Sequence, residues 1–167
     1  SCQCNFAIEK KTWAALKKLM PRVNQRRNGA HVVPRETIGR ELIKSFVAAP
    51  VRAMDLWDTS GATAKLLPEL LPMKRCPQPR AYHSEGDVWT HTKMATDAAA
   101  EIVRREDLDK EESAIVLYGA LSHDFGKPIT TAKDARGRTI SHRHAEAGVE
   151  PAKSFFYAVN VPQKVSS

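Results

Sequence analysis

From Asp87 onward the apolar positions of the chain step by three and four: Val88, His91, Ala95, Ala98 and Ile102. That spacing returns to one face of a helix and cannot alternate across a strand. It predicts a helix reaching about Arg104 with those five residues as its buried stripe. The segments before it have the same period. Trp13, Leu16 and Met20 form a stripe on a helix over Ile8–Met20, with Lys10, Lys11, Lys17 and Lys18 largely off it. Ile38, Leu42 and Phe46 form another, on a helix opened by Pro34 and closed by Pro50. A third helical piece covers about Val51–Asp58, broken at Ser60-Gly61, and short turns cut by Pro68 and Pro72 follow. No alternating pattern is long enough to be a strand, so the fold class is all-α.

Charge divides the chain. Residues 1–80 hold 15 Lys and Arg against 6 Asp and Glu; residues 81–167 hold 11 against 13. A basic front half points to a polyanion such as RNA, with Arg22, Arg26, Arg27, Arg35, Arg40 and Lys44 as the residues to contact it. Reversing the charge of Arg26 and Arg27 should then weaken binding and flatten its salt dependence. The alternative is a solvated basic surface. The Pro-rich stretch 73–87 reads as a boundary between a region 1–78 and a region 79–167.

No apolar run approaches the roughly 18 residues of a membrane span, and no signal-peptide pattern opens the chain. Its first residue is Ser rather than Met, which reads as a processed or excised piece. The three cysteines, Cys2, Cys4 and Cys76, make no disulfide framework, so a reducing cytoplasm is expected. Cys2 and Cys4 are too close together for an ordinary zinc half-site.

The chemistry collects in the second region. The apolar run Ala114–Leu121 delivers His123 and Asp124 to a helix end, where Gly126 and Pro128 stop it. An imidazole and a carboxylate at one helix end suit a divalent ion such as Zn, Mn, Fe or Ni, and the carboxylate also suits Mg. A buried Asp needs a partner; a metal would serve, and so would Lys127 or an arginine. His91 taken alone reads as a core histidine bonded to a carbonyl, but beside a His-Asp pair it reads as a ligand. His142 and His144, two residues apart, would face the same way in an extended segment, or lie in an exposed polar loop. Tyr82 and Trp89 flank His83 and read either as a stacking platform for a base or as core.

The strings SEGDVWTHT, LSHDFGKP and HRHAEAG resemble the HD superfamily of metal-dependent phosphohydrolases. The likeness is closest to the HD region of bacterial CCA-adding tRNA nucleotidyltransferases and poly(A) polymerases. It extends upstream through VVPRETIGRELIKSF and LLPELLPMKRCPQPRAYHSEGDVWTH to cover roughly residues 6–157. The resemblance implies an HD helical bundle preceded by a small helical RNA-binding region. It also implies a divalent metal (Mn, Ni, Mg, Zn or Fe) held by His91, His123, Asp124 and His144 or His142. Asp124 and Lys127 would be the catalytic pair, Lys127 meeting a phosphate. The substrate would be a nucleotide or an RNA-end phosphate, with tRNA as partner.

Two departures stand out. No Asp follows Asp134, where many HD enzymes complete their site. Nothing matches the head that adds nucleotides in the related tRNA enzymes: Asp107-Leu108-Asp109 has the right spacing in the wrong setting, a charged link. Three readings follow: a phosphohydrolase, a non-catalytic RNA-binding body, and a helical fragment whose histidines satisfy core hydrogen bonds.

Overall fold

The computed structural model describes residues 2, 7–79 and 83–159. Cys4 and Tyr82 lie outside them. The all-α expectation holds: nine α-helices and two 3-10 stretches carry the described residues, with only two small antiparallel hairpins. The described residues form two compact units, those up to 68 with 156–159, and those between 69 and 155.

In the first unit, α1 (Lys10–Leu19) is capped by Glu9, whose carboxylate accepts from the Thr12 amide at 2.8 Å. Trp13, Leu16 and Met20 are half-buried and the four lysines are exposed, as a one-sided amphipathic helix requires. A hairpin of β1 (Arg26–Arg27) and β2 (Ala30–His31) follows, turned by Asn28 and Gly29, both with positive φ. Asn-Gly supplies the two left-handed residues that a tight hairpin turn needs. Next, α2 (Arg35–Ala48) packs Leu42 and Phe46 against Ala53, Met54 and Trp57 of α3 (Pro50–Ser60), with the Phe46 and Trp57 rings 5.3 Å apart. Pro34 caps α2 from outside instead of opening it, and Pro50 begins α3. Gly61, at φ 87°, ends α3 in the left-handed conformation that suits glycine, and α4 (Ala62–Leu66) follows.

The 3-10 stretch Pro68–Arg75 leads into the second unit, which is built around α5 (Val88–Arg105) and α6 (Lys110–Ser122). Asp87 caps α5 through the Thr90 amide, and Asp109 and Glu112 form a reciprocal capping box at the start of α6. The buried face of α5 is not the expected stripe. Val88, Trp89, Thr92, Thr96, Ala99 and Ala100 are buried, while Ala98 is exposed and Ile102 is 42% exposed. Two threonines, Thr92 and Thr96, lie on that face. The Thr96 hydroxyl donates to the Thr92 carbonyl at 2.7 Å, which lets a polar side chain enter the core. Trp89 is therefore core rather than a stacking surface. Beneath α6 the rings of Tyr118, Phe125 and Phe155 meet at 5.5–5.7 Å.

After α6 come α7 (Lys127–Thr130), a hairpin of β3 (Thr131–Lys133) and β4 (Thr139–Ser141), α8 (His144–Ala147) and α9 (Val149–Ala158). Neither hairpin was expected. Strands of two or three residues are too short to leave an alternating signature, although both turns, at Asn28-Gly29 and Gly137, are readable. No helix among the described residues is long and apolar enough to cross a membrane.

Candidate metal centre

Asp124 follows the last turn of α6, where His123 is the C-cap, and its side chain is 2% exposed. Three imidazoles surround it. His123 Nε2 lies 3.1 Å from Oδ2, His91 Nε2 3.8 Å from Oδ2, and His144 Nε2 3.7 Å from Oδ1. His91 comes from the first turn of α5 and His144 from the first residue of α8.

Gly126 brings the last of these in. A Cβ built there would meet the His144 carbonyl oxygen at 1.8 Å and the Gly148 nitrogen at 2.6 Å. Only a residue without a side chain lets the 123–126 turn approach α8 this closely.

The far side of each ring is tied. Nδ1 of His91 lies 2.7 Å from Glu85 Oε1, Nδ1 of His123 2.7 Å from the Ala120 carbonyl, and Nδ1 of His144 2.8 Å from the Ser141 carbonyl. Carbonyl and carboxylate oxygens only accept, so each Nδ1 carries the hydrogen and each neutral ring presents a lone pair at Nε2. Three lone pairs thus face an ionised carboxylate. Acceptors do not converge on acceptors unless protons or a cation lie between them. The donor atoms of His91, His123 and Asp124 all fall within 4.8 Å of one another, and nitrogen with carboxylate oxygen suits a divalent transition ion. The residues present therefore fit a metal.

The electrostatics show what holds the carboxylate otherwise. Burial alone would push the Asp124 carboxyl up, but His123 and Lys127 outweigh it and hold it at about 2. His123 is raised, first by its hydrogen bond to Asp124 and against the effect of burial. Lys127 Nζ sits 2.8 Å from Asp124 Oδ2 and donates to Gln78 Oε1 at 2.6 Å. Its ammonium is thus turned inward onto the carboxylate.

Glu85 is the residue that sequence reasoning missed. It accepts from Nδ1 of both His83, at 2.9 Å, and His91, and its own backbone N–H, followed by His83, holds its carboxyl at about 2. His83, Glu85 and His91 also bring ligand atoms within 4.8 Å of one another. A neutral His91 ring has a single lone pair, however, and cannot serve ions on both sides. The Nε2 atoms converge on Asp124, so Glu85 is a support that fixes the His91 ring. Its place in SEGDVWTH was visible, but nothing in the spacing linked it to His91. Gln78 was hidden more deeply, 49 residues from the lysine it binds.

His142 lies in an exposed turn before α8. Arg143, at φ 58°, is left-handed and breaks the extended alternation that would have turned His142 with His144. The basic candidates all belong to the first unit. Arg22, Arg26, Arg27, Arg40 and Lys44 are exposed and Arg35 is half-buried; Lys44 pairs with Glu41 at 2.9 Å.

Such a His and His-Asp constellation between helices lies within residues 88–166, which match the model of the HD-domain family. The chain's relatives include the Multifunctional CCA protein of Halorhodospira halophila, 35% identical over 77% of this chain and 28% of the relative. The protein of the same name from Nitrosococcus oceani is 30% identical over 95% of this chain and 36% of the relative. That from Cupriavidus metallidurans is 34% identical over 76% and 28%. The chain thus spans about a third or less of the length of the relatives it matches. No solved structure matches it.

Proposed function

We propose that the chain is a metal-dependent HD phosphohydrolase that opens phosphate esters of nucleotides or RNA ends, such as 2′,3′-cyclic phosphates. One observation carries the reading: three imidazole Nε2 lone pairs converge on the buried carboxylate of Asp124. His91, His123, His144 and Asp124 would hold the ion. A divalent metal bound there would polarise a phosphoryl oxygen and bring water toward hydroxide near neutral pH. Held by their Nδ1 hydrogen bonds, the three rings would each offer Nε2 to that ion. Lys127, already inside the site, would stabilise negative charge on the phosphate once Asp124 turns to the metal. Relatives named for CCA, together with the basic first region, make the 3′ end of tRNA the preferred source of such a phosphate.

The experiment is hydrolysis of 2′,3′-cyclic AMP with Mn, Ni, Mg and Zn supplied in turn, with His123→Ala/Asp124→Ala as control. Turnover that needs metal and vanishes in the double variant supports the reading. A folded protein inactive with every metal sinks it. A second reading, a non-catalytic RNA-binding body, is favoured by one contact: the Lys127 ammonium at 2.8 Å already balances Asp124. In that case no divalent ion would bind at all.

A further inference from the structure

The first unit contains a cluster that the metal centre does not use. His31, at the end of β2, lies opposite Arg26 in the hairpin register. Arg26 Nη2 is 3.3 Å from His31 Nε2, and Arg35 Nε donates to the same nitrogen at 3.5 Å. One imidazole lone pair therefore faces two guanidiniums, each with five N–H donors. Among the described residues neither Arg26, Arg27 nor Arg35 forms an ion pair with a carboxylate. Positive charge is thus gathered at one place with nearly all of its hydrogen-bonding capacity open. Beside it the Arg35 guanidinium carbon lies 5.8 Å from the ring centroid of Tyr157, and that tyrosine is 77% exposed.

We infer that Arg26, Arg35 and Tyr157 form a binding site for single-stranded RNA. The two guanidiniums take successive backbone phosphates, and an unpaired base stacks on the Tyr157 ring beside Arg35. The chemistry selects this ligand over other anions. Guanidiniums match phosphate oxygens in pairs, and an exposed aromatic next to them adds a face for a base, the combination that single-strand binders use. A paired base in a duplex cannot offer that face. His31 positions the two arginines by accepting from both. The inference rests on RNA being the partner, as proposed above, and adds where and in what form it is held.

The test is fluorescence anisotropy of a labelled single-stranded oligoadenylate with the whole chain, across a salt series. Tyr157→Ala should weaken binding about tenfold, within the range of one stacked base, and leave the salt slope unchanged. Tyr157→Phe should bind like the wild type. Arg26→Gln/Arg35→Gln should weaken binding and flatten the slope by about 1.4, two single-strand phosphate contacts. A duplex of the same length should be insensitive to Tyr157. Wild-type affinity and slope in Tyr157→Ala and in the double variant would overturn the site while leaving RNA as partner. Tyr157 is so exposed that its variants should fold, which keeps the test open if the arginine variant does not. Failure of the wild type to bind, in a sample that still hydrolyses 2′,3′-cyclic AMP, would overturn both the site and the RNA partner but not the hydrolase.

Discussion

Glu85 illustrates how one carboxylate can govern a site it would not ligate. It holds the His91 Nδ1–H at 2.7 Å, which keeps the lone pair on Nε2 and the ring aimed at Asp124. Glu85→Ala should lower affinity for a divalent ion by about 10- to 100-fold, read by isothermal titration calorimetry, with Glu85→Gln recovering part of it. Affinity unchanged in the alanine variant would show that His91 is oriented by something else. The neighbouring titrations set a pH window for the metal-free chain. His123 is raised above its ordinary 6.5, so its contribution to stability is complete below that value and is lost as pH rises through the raised one. Asp124 and Glu85 are held at about 2, so theirs is present above their ordinary 3.8 and 4.5 and is lost as pH falls toward 2. Thermal midpoints of metal-free protein should therefore be highest between about pH 4.5 and 6.5. His123→Gln should remove the alkaline fall and leave the acid one; an alkaline fall that persists would place its cause elsewhere.

The turn after α6 and the start of α8 are held together by an approach that tolerates no Cβ. Gly126→Ala would drive a methyl into the His144 carbonyl, which is backbone and cannot swing aside. We expect destabilisation of at least about 1–3 kcal/mol, the range for overpacking, and metal affinity lost with it as His144 moves off Asp124. Gly119 makes the contrast. It lies inside α6, and a Cβ there would meet nothing within 4 Å. Gly119→Ala should stabilise by about 0.5–1 kcal/mol by restricting the unfolded chain and leave metal affinity alone. Urea denaturation of both variants checks the pair, and equal effects would contradict the close approach.

For the chain as a whole, an ion bound at Asp124 would link α5, α6 and α8 within the second unit. Because such an ion binds the folded state, a concentration 100 times its dissociation constant should add about 2.7 kcal/mol. Calorimetric unfolding should show a higher midpoint for wild type and none for His123→Ala/Asp124→Ala; equal shifts in both would put the metal outside this site. The ligands that an ion would join come from positions 91, 123–124 and 144, and the residues orienting them from 78, 85, 120 and 141. What was legible from sequence is local. Helices follow from apolar spacing and proline punctuation, caps from Asp87 and Asp109, and a His-Asp pair at the end of α6 from the residues that stop it. Resemblance then named the HD family. The face α5 buries was not legible, because the burial of Thr96 depends on a hydrogen bond to the Thr92 carbonyl that hydropathy does not record. Nor was the choice between His142 and His144, which turns on the left-handed backbone of Arg143. Lys127 bonding Gln78, and Glu85 aiming His91, depend on which atoms meet after the elements pack. The elements and the chemical types available rest on neighbours a few residues apart, and so follow from the order of residues. Which imidazoles meet at Asp124 rests on distances between segments tens of residues apart, and so follows from packing alone.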